Sequence, residues 1–179
     1  KKKKKKINNV ILEASSHGLK QNRLDGIDFK IGIFTNLSRD HLDYHKSYKD
    51  YLNSKLYLFK KLLKKNSNVI IDNDIPQHKI IKKITRKKKL KISTVGSTKS
   101  FLELIKHEYK EDKQIFEIKH NSKIYLLSVN LIGKVQIKNI LMAMIAAEKS
   151  GLKFDKIVKS INKIKNVNGR LEKIGKLKN

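Results

Sequence analysis

At 179 residues with 39% hydrophobic content, the chain is long enough to bury one core and too short for several. It has no cysteine, which excludes a disulfide framework and thiolate metal sites and fits a reducing, cytoplasmic setting. The net charge of +27 is the footprint of a nucleic-acid binder, but only four of the 43 basic residues are Arg, the residue that reads bases and clamps phosphates; the charge reads instead as a solvated lysine-rich surface.

The chain opens on six lysines with no apolar segment or cleavage site of a secretory signal, and no later apolar run reaches the ~20 residues of a membrane span. It begins on Lys and stops on a polar segment, so it reads as an internal fragment. Val10 to Leu12 is expected to form a short strand, followed by the polar loop from Glu13 to Gly18. A turn at Asp25-Gly26 leads to a second strand, Phe29 to Thr35. Ser47 is placed to cap a long helix reaching about Leu63, with Asp50 in its first turn where the helix dipole favours a carboxylate. Val69 to Ile71 reads as a third strand, ended by Asp72-Asn73-Asp74; Pro76 suits the start of a helix over Gln77 to Arg86, and Leu90 to Thr94 is the fourth strand.

Beyond Gly96 the pattern turns to alternation. Phe101 to Tyr109, Gln114 to Lys119 and Lys123 to Val129 read as antiparallel strands, the last two joined by a turn at Asn121-Ser122. Two helices follow: Val135 to Lys149, stopped by Ser150-Gly151, and the amphipathic Phe154 to Ile164. Asn166 to Gly169 reads as a linker. Strand-helix alternation up to residue 94 predicts an α/β fold, a mostly parallel sheet covered by helices with an antiparallel region near 101–129. Ligand loops then belong at the carboxyl ends of the strands.

Residues 34 to 45 crowd Thr35, Asn36, Ser38, Arg39, Asp40 and His41 into such a loop. Along the next helix, Tyr48, Tyr51, Leu52, Leu56, Phe59, Leu62 and Leu63 form an apolar stripe, and at ~100° per residue Lys55 falls near its middle. Either Lys55 snorkels outward along its stem, or it is desolvated and gives up its proton to become a reactive amine. Glu13, an isolated carboxylate after a strand, suits an oxygen-preferring cation such as Mg²⁺, although taken alone it reads better as an ordinary loop residue. His41 and His45 stand four apart, but Leu42 occupies the place of the Glu that a zinc protease needs. His17, His78, His107 and His120 carry no pattern of their own. Val95 to Ser100 fails as a phosphate loop because Thr98, not Gly, precedes Lys99; a turn between strands is expected there.

Taken together, Glu13-Ala14-Ser15-Ser16-His17-Gly18-Leu19, Gln21, Arg23, Phe34 to His45, and Lys55 ten residues on resemble the Mur ligases of peptidoglycan synthesis, the MurE type above all. Gly133, Asn139 to Ala143 and Gly169-Arg170-Leu171-Glu172 resemble later segments of the same enzymes, so the similarity spans essentially the whole chain. The resemblance implies that Lys55 is carbamylated and that the carbamate, Glu13 and His41 hold Mg²⁺ beside the γ-phosphate of ATP. It implies that Ser15, Gln21 and Arg23 grip the nucleotide-linked muramoyl dipeptide, and that Asn36, Asn139 and Arg170 contact the nucleotide. The activity implied is ATP-driven amide formation between UDP-N-acetylmuramoyl-L-Ala-D-Glu and a diamino acid, meso-diaminopimelate by family frequency, through an acyl phosphate. By the same resemblance, residues 1–168 are the C-terminal portion of the central ATP-binding domain and 169–179 open the C-terminal domain. The phosphate loop and uridine-binding domain are then expected upstream, and the isolated fragment is expected to be inactive. A cytoplasmic, monomeric bacterial enzyme with no nucleic-acid or membrane partner is expected. The segment after Gly133 departs from the family, reading Lys-Val-Gln-Ile-Lys in place of an aromatic followed by Asn. Two other readings are a related ligase such as a folylpolyglutamate synthase, which would lack the Ser15 to Arg23 loop, and a basic nucleic-acid-binding module.

Overall fold

The computed structural model describes residues 9–37, 43–110 and 113–165. Six strands make one sheet in sequence order: β1 (Ile31–Phe34), β2 (Asn68–Asp72), β3 (Lys91–Gly96), β4 (Leu102–Lys110), β5 (Lys113–His120) and β6 (Lys123–Val129). The first three pairings are parallel and the last two antiparallel. The helices are α1 (Ser16–Lys20), α2 (Tyr48–Tyr57), α3 (His78–Lys88), α4 (Lys134–Lys149) and α5 (Phe154–Ile161).

Period-two alternation along the strands sends side chains to two cores. Val69 and Ile71 of β2 face one side, with Leu56 of α2, Phe59 and Leu63 just after it, and Ile81 of α3. Ile70, between them, faces the other side with Val95, Leu102, Phe116 and Ile118, under Ile137, Leu141 and Ile145 of α4 and Ile157 and Ile161 of α5. Burial on both faces is what reads in the sequence as uninterrupted apolar strands. Gly32 admits a close approach of the segment just after α2 to β1: a Cβ there would lie 2.9 Å from Leu63 Cδ1 and 3.3 Å from Phe59 Cε1.

Ser47 caps α2, its Oγ accepting the Asp50 N–H at 3.1 Å. The predicted helix to Leu63 is corrected in its last part: the α-helix ends at Tyr57 and a π-helical turn covers Leu58–Leu62. Lys88 Nζ donates to the carbonyls of Lys60 and Leu63, both at 2.9 Å, so carbonyls that the wider turn leaves over gain a cationic partner. The hairpin turn falls at Asn121-Ser122, both with positive φ (47° and 65°), the conformation a two-residue turn between twisted strands requires. Gly151, at φ 98°, closes α4. α5 stops at Ile161 instead of Ile164.

The expected strand at Val10 to Leu12 is not formed. A strand needs a ladder partner, and among the described residues the sheet begins at β1; Val10 and Ile11 lie 72% and 97% exposed in irregular backbone. The linker at 166–169 and the segment from Leu171 lie outside the described residues.

Candidate active site

The carboxyl ends of β1, β2 and β3 open onto the segments that begin at Thr35, Asn73 and Ser97, which places Asn36 and the Asp72–Asp74 turn along one sheet edge. Lys55 joins that edge from α2. Its Nζ donates 2.9 Å to the Asn36 carbonyl, 5.9 Å from the Phe34 ring centroid and 5.3 Å from that of Tyr51. Lys55 therefore neither sits in the core nor extends into bulk water: half-buried, it folds along the aromatic surface to the end of β1.

The segment from Ser15 to Arg23 is built on α1, which packs against α2. Ser15 is the N-cap, its Oγ accepting Gly18 N–H at 3.1 Å; a Cβ on Gly18 would crowd that oxygen at 3.2 Å, which accounts for glycine there. Gln21 Nε2 donates to Tyr44 Oη at 2.9 Å, and the Tyr44 ring lies 3.9 Å from that of His17, centroid to centroid. Lys20 pairs with Asp50 of α2, and the ammonium contact holds the Asp50 carboxyl below its ordinary range. Arg23 is exposed. Glu13 is exposed in the irregular segment leading to Ser15.

The predicted residues thus gather in part. Lys55 meets Asn36 directly, and Ser15 and Gln21 sit at the two ends of α1, which Lys20–Asp50 ties to the helix that carries Lys55. Asn139 lies elsewhere, half-buried on α4, where with Gln136 it lines a groove of about 550 Å³ between α4 and α5 otherwise walled mainly by Ile140, Met144, Ile157 and Ile161. His41 and Arg170 lie outside the described residues.

The sequence reading missed an ion cluster at the same edge. Lys138 of α4 donates to Asp72 Oδ1 at 2.9 Å and to Asp74 Oδ2 at 2.7 Å. Asp74 Oδ1 also accepts Ser97 Oγ at 3.1 Å, and Asp72 Oδ1 the Asp74 N–H at 2.9 Å. Burial raises the Asp74 carboxyl, but the hydrogen bonds from Lys138 and Ser97 outweigh it and leave the group below its ordinary range. Gly96 permits the close turn: a Cβ would stand 2.8 Å from Ser100 Oγ. The one signal available in advance was the run Asp72-Asn73-Asp74 at a strand end; its partner stands 64 residues or more further along the chain.

A mostly parallel sheet covered by helices on both faces, with polar side chains gathered at the carboxyl ends of its strands, defines the class of α/β domains that bind ligands at that edge, and the comparisons make the assignment specific. Residues 1–147 match the Mur ligase middle domain, and the chain belongs to that family. A UDP-N-acetylmuramoyl-L-alanyl-D-glutamate–2,6-diaminopimelate ligase of Chelativorans sp. is 40% identical over 169 residues, 94% of this chain and 35% of the relative. A solved structure of a ligase with the same name superposes with a TM-score of 0.78 at 29% identity, covering 87% of this chain and 32% of that one. A folylpolyglutamate synthase bound to AMPPCP shares the fold alone, with a TM-score of 0.66 at 17% identity over 85% of this chain and 38% of its own. The chain spans about a third of the length of the curated relatives it matches.

Proposed function

We propose that this chain is the central segment of an ATP-dependent ligase that joins a diamino acid, meso-diaminopimelate, to UDP-N-acetylmuramoyl-L-Ala-D-Glu in peptidoglycan synthesis. The observation that carries the reading is the seating of Lys55 at the strand edge on the Asn36 carbonyl, with the Ser15 to Arg23 loop docked on the same helix. The 40% identical relative carries that activity in its name.

In the proposed reaction the D-Glu carboxylate attacks the γ-phosphorus of ATP, forming an acyl phosphate and releasing ADP. The amine of the diamino acid then attacks the acyl carbon, loses its proton, and expels phosphate as the amide forms. Lys55, carbamylated by carbon dioxide, with Glu13 and His41 would hold Mg²⁺; bound there, the ion neutralises charge on the phosphates. The donor set fits. A carbamate keeps one N–H, so the bond from Lys55 to the Asn36 carbonyl survives the modification while two oxygens are added on a residue already at the polar edge. Arg23, exposed just beyond α1, offers a forked donor to a substrate carboxylate or phosphate, and Ser15 and Gln21, at the two ends of that helix, are assigned to the same substrate. Asn36, Asn139 and Arg170 are assigned to the nucleotide, Asn139 offering an amide inside a groove whose apolar walls suit a flat base. Monomeric, cytoplasmic operation without nucleic-acid or membrane partners belongs to the same proposal; among the described residues no helix is long and apolar enough to cross a membrane.

The test is ADP release by the full-length protein. It should require both UDP-N-acetylmuramoyl-L-Ala-D-Glu and the diamino acid, and Lys55→Met should lower the rate at least ~100-fold, the scale of losing a group that stabilises transferring charge. Folate-dependent glutamylation instead, or full turnover by Lys55→Met, would overturn the reading.

A further inference from the structure

His45 has no part in the chemistry above, yet its side chain is fully buried. Its Nε2 lies 2.9 Å from Ser16 Oγ, and Ser16 is itself buried. Its Nδ1 faces Asp50 Oδ2 at 3.6 Å and has no hydrogen-bond partner among the described residues. The ring stacks on Tyr51 and meets the edge of Tyr44, both with centroids 5.0 Å away, and approaches His17 at 5.6 Å. The titratable and charged groups around it among the described residues are therefore His17 and Lys20 from α1, Tyr44 from the connecting segment, and Asp50 and Tyr51 from α2.

We infer that His45 is a positioning residue: its neutral imidazole, with the proton on Nδ1 toward Asp50, accepts the Ser16 hydroxyl at Nε2 and so fixes α1, with the Ser15 to Arg23 loop, against the helix that carries Lys55. The tautomer follows from electrostatics. A carboxylate opposite Nδ1 attracts the proton to that nitrogen, whereas the other tautomer would aim a lone pair at the carboxylate. Burial, then the Lys20 ammonium, disfavour the charged ring and lower its pKa. Nε2 is thereby left as an acceptor, and Ser16 Oγ–H is the donor within reach. Ser16 is the first residue of α1 and is bonded to Ser15, its cap, so the contact acts at the point where the loop enters the helix. Lys20–Asp50 and Gln21–Tyr44 tie the exposed far end of α1; Ser16–His45 is the buried tie at its start.

The substrate named in the test rests on the ligase reading; the tether itself does not. Hydrogen exchange by mass spectrometry on the full-length protein should show faster exchange of the α1 amides in His45→Ala and wild-type protection in His45→Gln, whose longer amide reaches Ser16 as Nε2 does. In the same proteins the KM for UDP-N-acetylmuramoyl-L-Ala-D-Glu should rise about tenfold in His45→Ala, the loss of one buried hydrogen bond, while kcat and the KM for ATP stay within about twofold. His45→Gln should recover most of that rise. Equal α1 exchange in wild type, His45→Ala and His45→Gln would overturn the inference, as would a fall in kcat with the muramoyl-peptide KM unchanged. Should His45→Ala fail to fold, unprotected α1 amides in folded His45→Gln would refute it equally. If wild-type protein binds no muramoyl peptide while the exchange pattern holds, the substrate assignment fails and the tether stands.

Discussion

Lys138→Met removes the cation that joins α4 to the end of β2 while keeping most of the side-chain volume. Each of its contacts, at 2.9 and 2.7 Å, carries roughly 6 kcal/mol of attraction at an effective dielectric of ~20, and desolvating an ammonium only 16% exposed offsets most of it. The cost of the substitution is therefore set by what is stranded. Asp72, 6% exposed, would be left with the Asp74 N–H as its hydrogen-bond donor among the described residues, a loss of roughly 3 kcal/mol; Asp74 is 42% exposed at its side chain and would be rescued by water. For a chain of this size that predicts a Tm about 6–12 °C lower. Adding Asp72→Asn removes the stranded charge, and its Oδ1 still accepts the Asp74 N–H, so the double variant should regain at least about half of the loss. Thermal unfolding followed by circular dichroism at neutral pH reads both. A Lys138→Met protein melting within about 1 °C of wild type, as an ordinary surface substitution would, refutes the reasoning, and so does a double variant no more stable than the single one.

Ser47→Ala should cost about 1 kcal/mol, or about 2–4 °C in Tm, because the Asp50 N–H loses its acceptor at the start of α2; an unchanged melting curve would deny the cap. Stability should fall with acidification in two stages. His45 and His78 have pKa values depressed below 6.5, first by burial, so the unfolded chain takes up protons more readily and stability is lost as pH drops through 6.5 toward the folded values. Asp74 is depressed below 3.8, so its contribution is complete above that value and disappears as pH falls through the lower folded one. Urea midpoints between neutral pH and pH ~3 measure both stages; a midpoint unchanged from neutrality to about pH 5 would contradict the first.

Most of the fold was legible because its signals are local. The β2, β3, β5 and β6 strands, the Ser47 cap, the Asn121-Ser122 turn and the Gly151 stop all lie where a few neighbouring residues dictate backbone geometry. Val10 to Leu12 shows the limit of that logic, since an apolar run supplies a strand's side chains but not the neighbouring edge that satisfies its backbone. The π turn after Tyr57 depends on Lys88, a residue 25 or more positions away that reaches back to cap it.

In the site, Lys55 was legible as a cation placed on an apolar stripe, and its contact with Asn36 explains how that placement is tolerated. The Lys138 cluster and the Ser16–His45–Asp50 chain were not legible, because each joins residues that nothing in local spacing relates. His45 in particular was weighed only as a partner of His41 four residues before it; its partners come from α1 and from the first turn of α2.

The most direct measurement is carbon-13 NMR of the full-length protein equilibrated with labelled bicarbonate, with and without Lys55→Arg. The account predicts a carbamate resonance that is lost in Lys55→Arg and retained when Lys20 or Lys138 is replaced instead. A wild-type protein that catalyses the ligation with no such resonance, or one whose resonance persists in Lys55→Arg, would contradict it.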